Sequence, residues 1–163
     1  MSERIEQLIK DYPRLKLEAQ CLELQIKDFK GITETEIIES MNFSQPSGDH
    51  VQSSNISDKP ASIALSYHER MEEANRDWYD FLTRKYMELS EELRFFECSL
   101  RAVHGTAGSV LCDMVLGGMT WNAIAEKNFI SQRMVGKYRK AALKELSDLY
   151  KGRDEKLAAY LLS

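Results

Sequence analysis

Basic side chains are concentrated in one short stretch near the C-terminal end of this 163-residue chain. Residues 131–144 contain five basic residues and no acidic one, whereas the whole chain has a net charge of -4. The five are Arg133, Lys137, Arg139, Lys140 and Lys144. Arginine and lysine bind phosphate oxygens, and arginine can also read the O6 and N7 atoms of guanine. Because solvated helices usually mix both charge signs, the bias predicts contact with DNA.

Two capped helices joined by a short turn are predicted around this stretch. Thr120 is the predicted N-cap of the first helix, because its hydroxyl can accept a free N–H of the first turn. Asn128 is expected to end that helix in the left-handed conformation, which asparagine tolerates. The next two residues, Phe129 and Ile130, are expected to be buried. Ser131 is the predicted N-cap of the second helix.

The second predicted helix has one apolar face and one basic face. Residues at helical spacing form its apolar face: Met134, Val135, Tyr138, Ala142, Leu146 and Leu149. The opposite face carries Gln132, Arg133, Gly136, Lys137, Lys140 and Lys144. A capped helix, a short turn and a second helix of this kind form the helix-turn-helix that enters a DNA major groove.

The expected DNA contacts divide into base readers and phosphate binders. Ser131 and the free N–H groups of the helix start are expected to hold a phosphate. Gln132, Arg133 and Lys137 are placed to reach base edges. Lys140 and Lys144, one and two turns further on, are expected to contact backbone phosphates of the DNA. The complete predicted set is Ser131, Gln132, Arg133, Gly136, Lys137, Arg139, Lys140 and Lys144.

Residues 110–149 resemble region 4 of sigma factors and the related LuxR-type domains. The resemblance is carried by TWNAIAEK in the first helix, FIS in the turn and QRMVGKYRKAALKEL in the second helix. The chain departs from that pattern in two places. Asn128-Phe129 stands where such domains often have Leu-Gly, and Gly136 stands where a long contacting side chain is common. At Gly136 the resemblance leaves two alternatives, a close approach of the backbone to DNA or no contact.

The layout of the whole chain is similar to the RinA/ArpU-like late-gene activators of Gram-positive phages and mobile elements. The shared features are a Leu-rich N-terminal helix (YPRLKLEAQCLELQI), a Ser/Pro-containing spacer (SQPSGDHVQSSNISDKPAS), a long charged helix and the terminal helix-turn-helix. This resemblance implies an activator that binds DNA upstream of a promoter and works with host RNA polymerase.

The rest of the chain is also predicted to be helical, which makes the fold class all-α. Residues 3–30 have a helical apolar stripe that Pro13 is expected to kink or break. A capping box predicts a short helix over residues 33–41. Residues 42–62 are rich in Ser, Asn and Asp and predict a flexible linker, and residues 63–103 predict a long helix.

Residues 63–103 are expected to pair in an antiparallel sense with residues 3–30 and to contact another subunit. Their nine acidic and six basic residues give this predicted helix a net charge of -3. That charge repels DNA phosphates and would help to orient the basic helix. Its aromatic stripe, which includes Trp78 and Phe81, is interpreted as core.

The predicted organisation therefore has three parts. Residues 1–104 form a helical oligomerisation and interaction region, residues 105–152 the helix-turn-helix domain, and residues 153–163 a tail. A break is expected over His104–Gly108. The next helix is expected to be capped by Thr106, within that break, or by Ser109, just after it. The tail is expected either to fray or to add one or two helical turns.

No catalytic site, metal site or cofactor is predicted. His50, His68 and His104 have no nearby nucleophile in a plausible pattern. The odd number of cysteines, without a signal-peptide layout, predicts reduced and mostly buried thiols in a cytosol. The resemblance to phage and mobile-element activators implies that this is the cytoplasm of a bacterial host. No stretch reaches the ~18 apolar residues of a membrane span.

Three other functional classes are compatible with parts of this pattern. A full sigma factor needs a promoter-melting helix with interleaved aromatic and basic residues, whereas the aromatic helix here is acidic. A phage packaging protein, similar to small terminase subunits, would hold DNA through the helix-turn-helix without sequence preference. A pure interaction module would use the basic helix to bind an acidic protein. The principal prediction is a sequence-specific DNA-binding regulator that works as a dimer or larger oligomer.

Overall fold

All regular secondary structure in the described part of the chain is helical, which confirms the predicted all-α class. The computed structural model describes residues 2–31 and 59–162, with side chains for residues 3–31 and 68–162. The predicted helix over 33–41 and most of the predicted linker lie outside these ranges. The helices are α1 (Ser2–Lys27), α2 (Lys59–Ala102), α3 (Gly105–Val115), α4 (Trp121–Lys127) and α5 (Gln132–Leu161).

The two long N-terminal helices are present, with boundaries that differ from the predicted ones. Helix α1 continues through Pro13, so of the predicted kink or break the break does not occur. The proline is exposed while the adjacent Tyr12 is buried, so packing on the inner side outweighs the one lost backbone hydrogen bond. Helix α2 begins at Lys59, and residues 59–62 are therefore helical rather than linker. No helix in the described ranges is long and apolar enough to cross a membrane.

Helix α3 begins at Gly105, immediately after a short break, and not after Thr106 or Ser109 as predicted. Its N-cap is His104, whose side chain makes no capping hydrogen bond. Gly108 lies against the residue that follows α2, since a Cβ at that position would be 2.0 Å from the backbone oxygen of Val103. That close approach requires glycine and explains why the break is so short.

The described chain divides into two compact units. The first comprises the described residues of Met1–Gln20 and Glu88–Ser163 and includes α3, α4 and α5. Its main core joins α1, the end of α2, α3 and α5 through fully buried side chains: Ile5, Phe96, Leu100, Leu111, Leu146 and Tyr150. At the edge of this core Tyr12 donates a 2.6 Å hydrogen bond to Glu97. Burial, with this bond, raises the pKa of Tyr12 to about 12.

The second unit is Cys21–Met87, in which the residues that follow α1 contact the first part of α2. The ring centroids of Phe29 and Tyr79 are 5.3 Å apart, and Gly31 lies against Asn75. Increasing residue numbers on one segment meet decreasing numbers on the other, so within this unit the segments run antiparallel. Trp78 and Phe81 are 49% and 46% exposed, so the prediction that they belong to the core is wrong.

The three cysteines are free thiols. Cys21 and Cys98 are exposed and Cys112 is partly buried, so the prediction of mostly buried thiols is wrong. Burial raises the pKa of the Cys112 thiol, which also contacts the backbone oxygen of Leu100 at 3.4 Å.

Candidate nucleic-acid interface

Helices α3, α4 and α5 enclose a small apolar core of their own. Val110, Ile124 and Val135, one from each helix, are fully buried at its centre. Partly buried apolar side chains complete this core: Met114, Met119, Ala125, Ile130 and Tyr138. The three helices therefore form a helix-turn-helix preceded by a supporting helix, the arrangement that the apolar spacing predicts.

Both predicted N-caps of the helix-turn-helix are confirmed. The hydroxyl of Thr120 accepts the N–H of Ala123 at 3.3 Å, and the hydroxyl of Ser131 accepts the N–H of Met134 at 3.3 Å. Each cap satisfies one N–H that has no partner inside its helix. The hydroxyl hydrogen of Ser131 remains available for an acceptor outside the protein.

The turn between α4 and α5 differs from its prediction. Asn128 has φ -99°, and its side-chain amide donates a 2.9 Å hydrogen bond to the backbone oxygen of Ile124. The left-handed residue is Phe129 instead, with φ +53° and a side chain that is 96% exposed. Because the Asn128 amide closes the end of α4, the next residue turns the chain. Ile130 is partly buried, as predicted, whereas the predicted burial of Phe129 is wrong.

Two contacts fix the orientation of α4 against α5. The side-chain amide of Gln132 donates a hydrogen bond to the side-chain oxygen of Asn122. A Cβ at Gly136 would lie 3.4 Å from the ring of Trp121, so a longer side chain at that position would displace the ring. Trp121 remains 43% exposed beside the start of α5. Pattern analysis missed these contacts because each depends on the angle between two helices.

An ion pair fixes α4 to α3. The ammonium of Lys127 lies 2.7 and 2.8 Å from the two carboxylate oxygens of Asp113. Both residues are at the side of the three-helix core, so the pair restrains how far α4 can rotate on α3.

Four of the predicted contacts form one exposed cationic surface on α5, which we call the basic stripe. It consists of Arg133, Lys137, Lys140 and Lys144, all exposed. Their spacing of four, three and four residues places them on one side of the helix over about 17 Å of its axis. Within the described residues, none of the four forms an ion pair. Their charges are therefore available to an external anion.

Arg139 lies outside the basic stripe. It is partly buried, and its guanidinium is 3.9 Å from a carboxylate oxygen of Glu6 on α1. Lys140 and Lys144 border a cavity of about 550 Å³ that is also lined by Glu6 and Asp148. Those carboxylates lower the positive potential at the later end of the stripe, so its strongest positive end is at Arg133 and Lys137.

The inner face of α5 is broader than its prediction. Val135, Ala142 and Leu146 are fully buried, as predicted, while Leu149 is 38% exposed. Leu143 and Tyr150 are buried although the prediction did not include them. The spacing alone was sufficient to find both, because each lies one turn from Leu146.

Helix α5 extends through Gly152 to Leu161, so residues 153–161 of the predicted tail add helical turns, which is the second of its two predicted alternatives. Arg153 explains the continuation. Its guanidinium lies 4.3 Å from the ring centroid of Phe95 and 4.7 Å from that of Tyr150, and 2.7 Å from the Glu92 carboxylate. These contacts hold the helix in place beyond the glycine.

No protein-family model, curated protein or solved structure matches the chain. In the described ranges no cluster of three or more His, Cys, Asp or Glu residues is suited to a metal ion.

Proposed function

We propose that the protein is a sequence-specific DNA-binding transcription regulator that places the first half of α5 in a major groove. The observation that carries this proposal is the basic stripe. Four cations that form no ion pair with any other described residue lie on the outer face of a helix whose inner face closes a three-helix core. The whole chain has a net charge of -4, so the basic stripe is a local positive patch on a negatively charged protein. This distribution favours one narrow DNA contact over general binding to polyanions.

The start of α5 would carry the sequence readout. Arg133 can donate two hydrogen bonds to guanine, a contact worth about 1–3 kcal/mol of discrimination against another base. Lys137, one turn later, would reach the adjacent base pair. Gln132 is held by Asn122 in the free protein, so adenine recognition by its amide would replace or share that hydrogen bond.

Phosphate contacts would fix the position of the helix in the groove. Ser131 can donate its hydroxyl hydrogen to a phosphate while its oxygen still caps α5. Lys140 and Lys144 would neutralise backbone phosphates further along the helix. Such contacts stabilise the complex on any sequence and make its affinity depend on salt.

The resemblance to RinA/ArpU-like activators supports a more specific role for the same DNA contact. On that basis we propose that the protein activates late genes of a phage or mobile element together with host RNA polymerase. A packaging protein with this helix-turn-helix would instead bind duplex DNA tightly at low salt without preferring any sequence.

A footprint on DNA next to the protein's own gene tests the proposal. We expect the full chain to protect a discrete segment and the Arg133→Ala/Lys137→Ala variant to lose that protection, because both base-reading cations are absent. Alanine favours helix, so α5 should remain folded, which circular dichroism can verify. The matched control is Lys30→Ala/Arg76→Ala, which removes the same charge from exposed residues of the other unit. Retained protection by the first variant would refute the assigned recognition helix.

A further inference from the structure

Asn122 on α4 and Gln132 on α5 form a polar pair at the outer edge of the contact between these two helices. The side-chain amide of Gln132 donates a hydrogen bond to the side-chain oxygen of Asn122, and both residues are exposed. Gln132 is the first residue of α5, and Arg133 of the basic stripe follows it. The pair therefore lies at the end of α5 to which base reading is assigned.

Both members of the pair stand on backbone that other contacts hold in place. Asn122 lies in the first turn of α4 and Gln132 in the first turn of α5, and a side-chain hydroxyl caps each helix start. Beside the pair, the ring of Trp121 lies against Gly136. The two helices also share the small apolar core. The hydrogen bond thus joins two helix starts that packing already positions, and it fixes the direction of the Gln132 amide.

We propose that Asn122 is a positioning residue that makes Gln132 select adenine in the DNA site, a role that rests on the proposed function. A glutamine amide has two N–H groups and one acceptor oxygen. One N–H of Gln132 is donated to Asn122, so the other N–H and the oxygen remain available to DNA. In the major groove adenine offers the matching groups, an acceptor at N7 and a donor at N6.

The hydrogen bond to Asn122 also excludes the opposite orientation of the amide. A free glutamine amide can exchange its nitrogen and its oxygen by a half-turn, and its N–H groups could then donate to O6 of guanine or O4 of thymine. With the nitrogen bonded to Asn122, only one order of donor and acceptor faces the groove. Because the side chain is held before binding, less conformational entropy is lost when DNA binds.

Selection of binding sites from random duplexes by the full chain tests the role of Asn122. The wild-type motif should contain an adenine in addition to the guanine assigned to Arg133. Asn122→Ala should lose the preference for that adenine and keep the guanine, because Arg133 is not part of the pair. On defined duplexes, replacing the adenine should weaken wild-type binding about tenfold, and binding of Asn122→Ala less than about twofold.

Three further variants separate positioning from folding. Asn122→Asp keeps an oxygen that accepts the Gln132 N–H, so it should retain the adenine, with lower affinity because its charge repels phosphates. Gln132→Ala should lose the adenine as Asn122→Ala does. Gln25→Ala removes an exposed amide from the other unit and should enrich the wild-type motif. Circular dichroism of each variant verifies that it is folded.

Different outcomes bear on the role of Asn122 and on the proposed function. A wild-type chain that enriches no motif refutes sequence-specific recognition, and the role of Asn122 with it. An adenine preference that persists in Asn122→Ala but is lost in Gln132→Ala overturns only the role of Asn122. Loss of the whole motif by a folded Asn122→Ala chain also overturns that role, since Asn122 would then act on the arrangement of the helices. A base other than adenine at the affected position overturns the match of donor and acceptor.

Discussion

At the scale of single residues, the turn of the helix-turn-helix shows how one side chain determines the conformation of the next. Asn128 keeps a negative φ of -99°, and its side-chain amide bonds to the backbone oxygen of Ile124. The change of direction therefore falls on Phe129, at φ +53°. An L-residue pays roughly 1–2 kcal/mol for the left-handed conformation, whereas glycine adopts it readily.

Replacing Phe129 with glycine is expected to stabilise the protein by about 0.5–1 kcal/mol. The left-handed penalty disappears, while a side chain that is 96% exposed contributes little packing to lose. The greater entropy of glycine in the unfolded chain offsets part of the gain. Denaturant unfolding of the full chain measures the change. Asn128→Gly is the matched control and should destabilise the protein, since it removes the hydrogen bond to Ile124. An Asn128→Gly variant more stable than Phe129→Gly would contradict this explanation of the turn.

The start of α3 is stabilised by a carboxylate that titrates in acid. Glu145 accepts hydrogen bonds from the imidazole of His104 at 2.9 Å and from its backbone N–H at 3.2 Å. These bonds, the side-chain one first, lower the pKa of Glu145 from its ordinary value of 4.5. Its stabilising contribution is therefore complete above the unfolded-state pKa and is lost as pH falls through the lower folded-state pKa.

Glu145→Gln should therefore lower the melting temperature at neutral pH, and the difference from the wild type should shrink in acid. Melting curves at neutral pH and at a series of decreasing acid pH values follow the loss of this contribution as the carboxylate takes up a proton. Glu126→Gln, at an exposed glutamate of the same unit, should show no such convergence. A Glu145→Gln difference that stays constant with pH would show that the contact does not contribute through its charge.

At the scale of elements, α5 combines a core face with the basic stripe. The two faces are expected to make different contributions to DNA binding. The cations near the helix start would read bases, and those further along would hold phosphates. Variants within one helix can therefore separate affinity from specificity.

Lys140→Ala/Lys144→Ala should weaken binding on every sequence and leave the preferred site unchanged. Each lost phosphate contact should reduce the slope of log affinity against log salt by about 0.9, hence about 1.8 for the pair. Equilibrium titrations of the full chain at several salt concentrations, on a preferred and an unrelated duplex, give both quantities. An unchanged slope would mean that these lysines do not contact phosphates.

Sequence analysis predicted the features of α4 and α5 that arise within a few residues. The caps at Thr120 and Ser131 are of this kind, because each joins a side chain to an N–H three residues later. The full length of α5 was not predicted, because it depends on contacts of Arg153 with Phe95 and Glu92, which are distant in sequence. The prediction that Phe129 is buried was wrong for the same reason, because an apolar side chain does not by itself show where the residue lies relative to the core.

At the scale of the whole molecule, the chain combines a net negative charge with one local cationic surface. Such a distribution limits non-specific attraction to nucleic acid and leaves binding to depend on a well-placed contact.

Selection of binding sites from a pool of random duplexes tests the central claim most directly. With the full chain, the account predicts enrichment of a defined motif that contains guanine. With Arg133→Ala/Lys137→Ala the motif should disappear, while Lys30→Ala/Arg76→Ala should enrich the same motif as the wild type. Enrichment of an identical motif by wild type and the Arg133→Ala/Lys137→Ala variant, or of no motif by the wild type, would contradict sequence-specific recognition through α5.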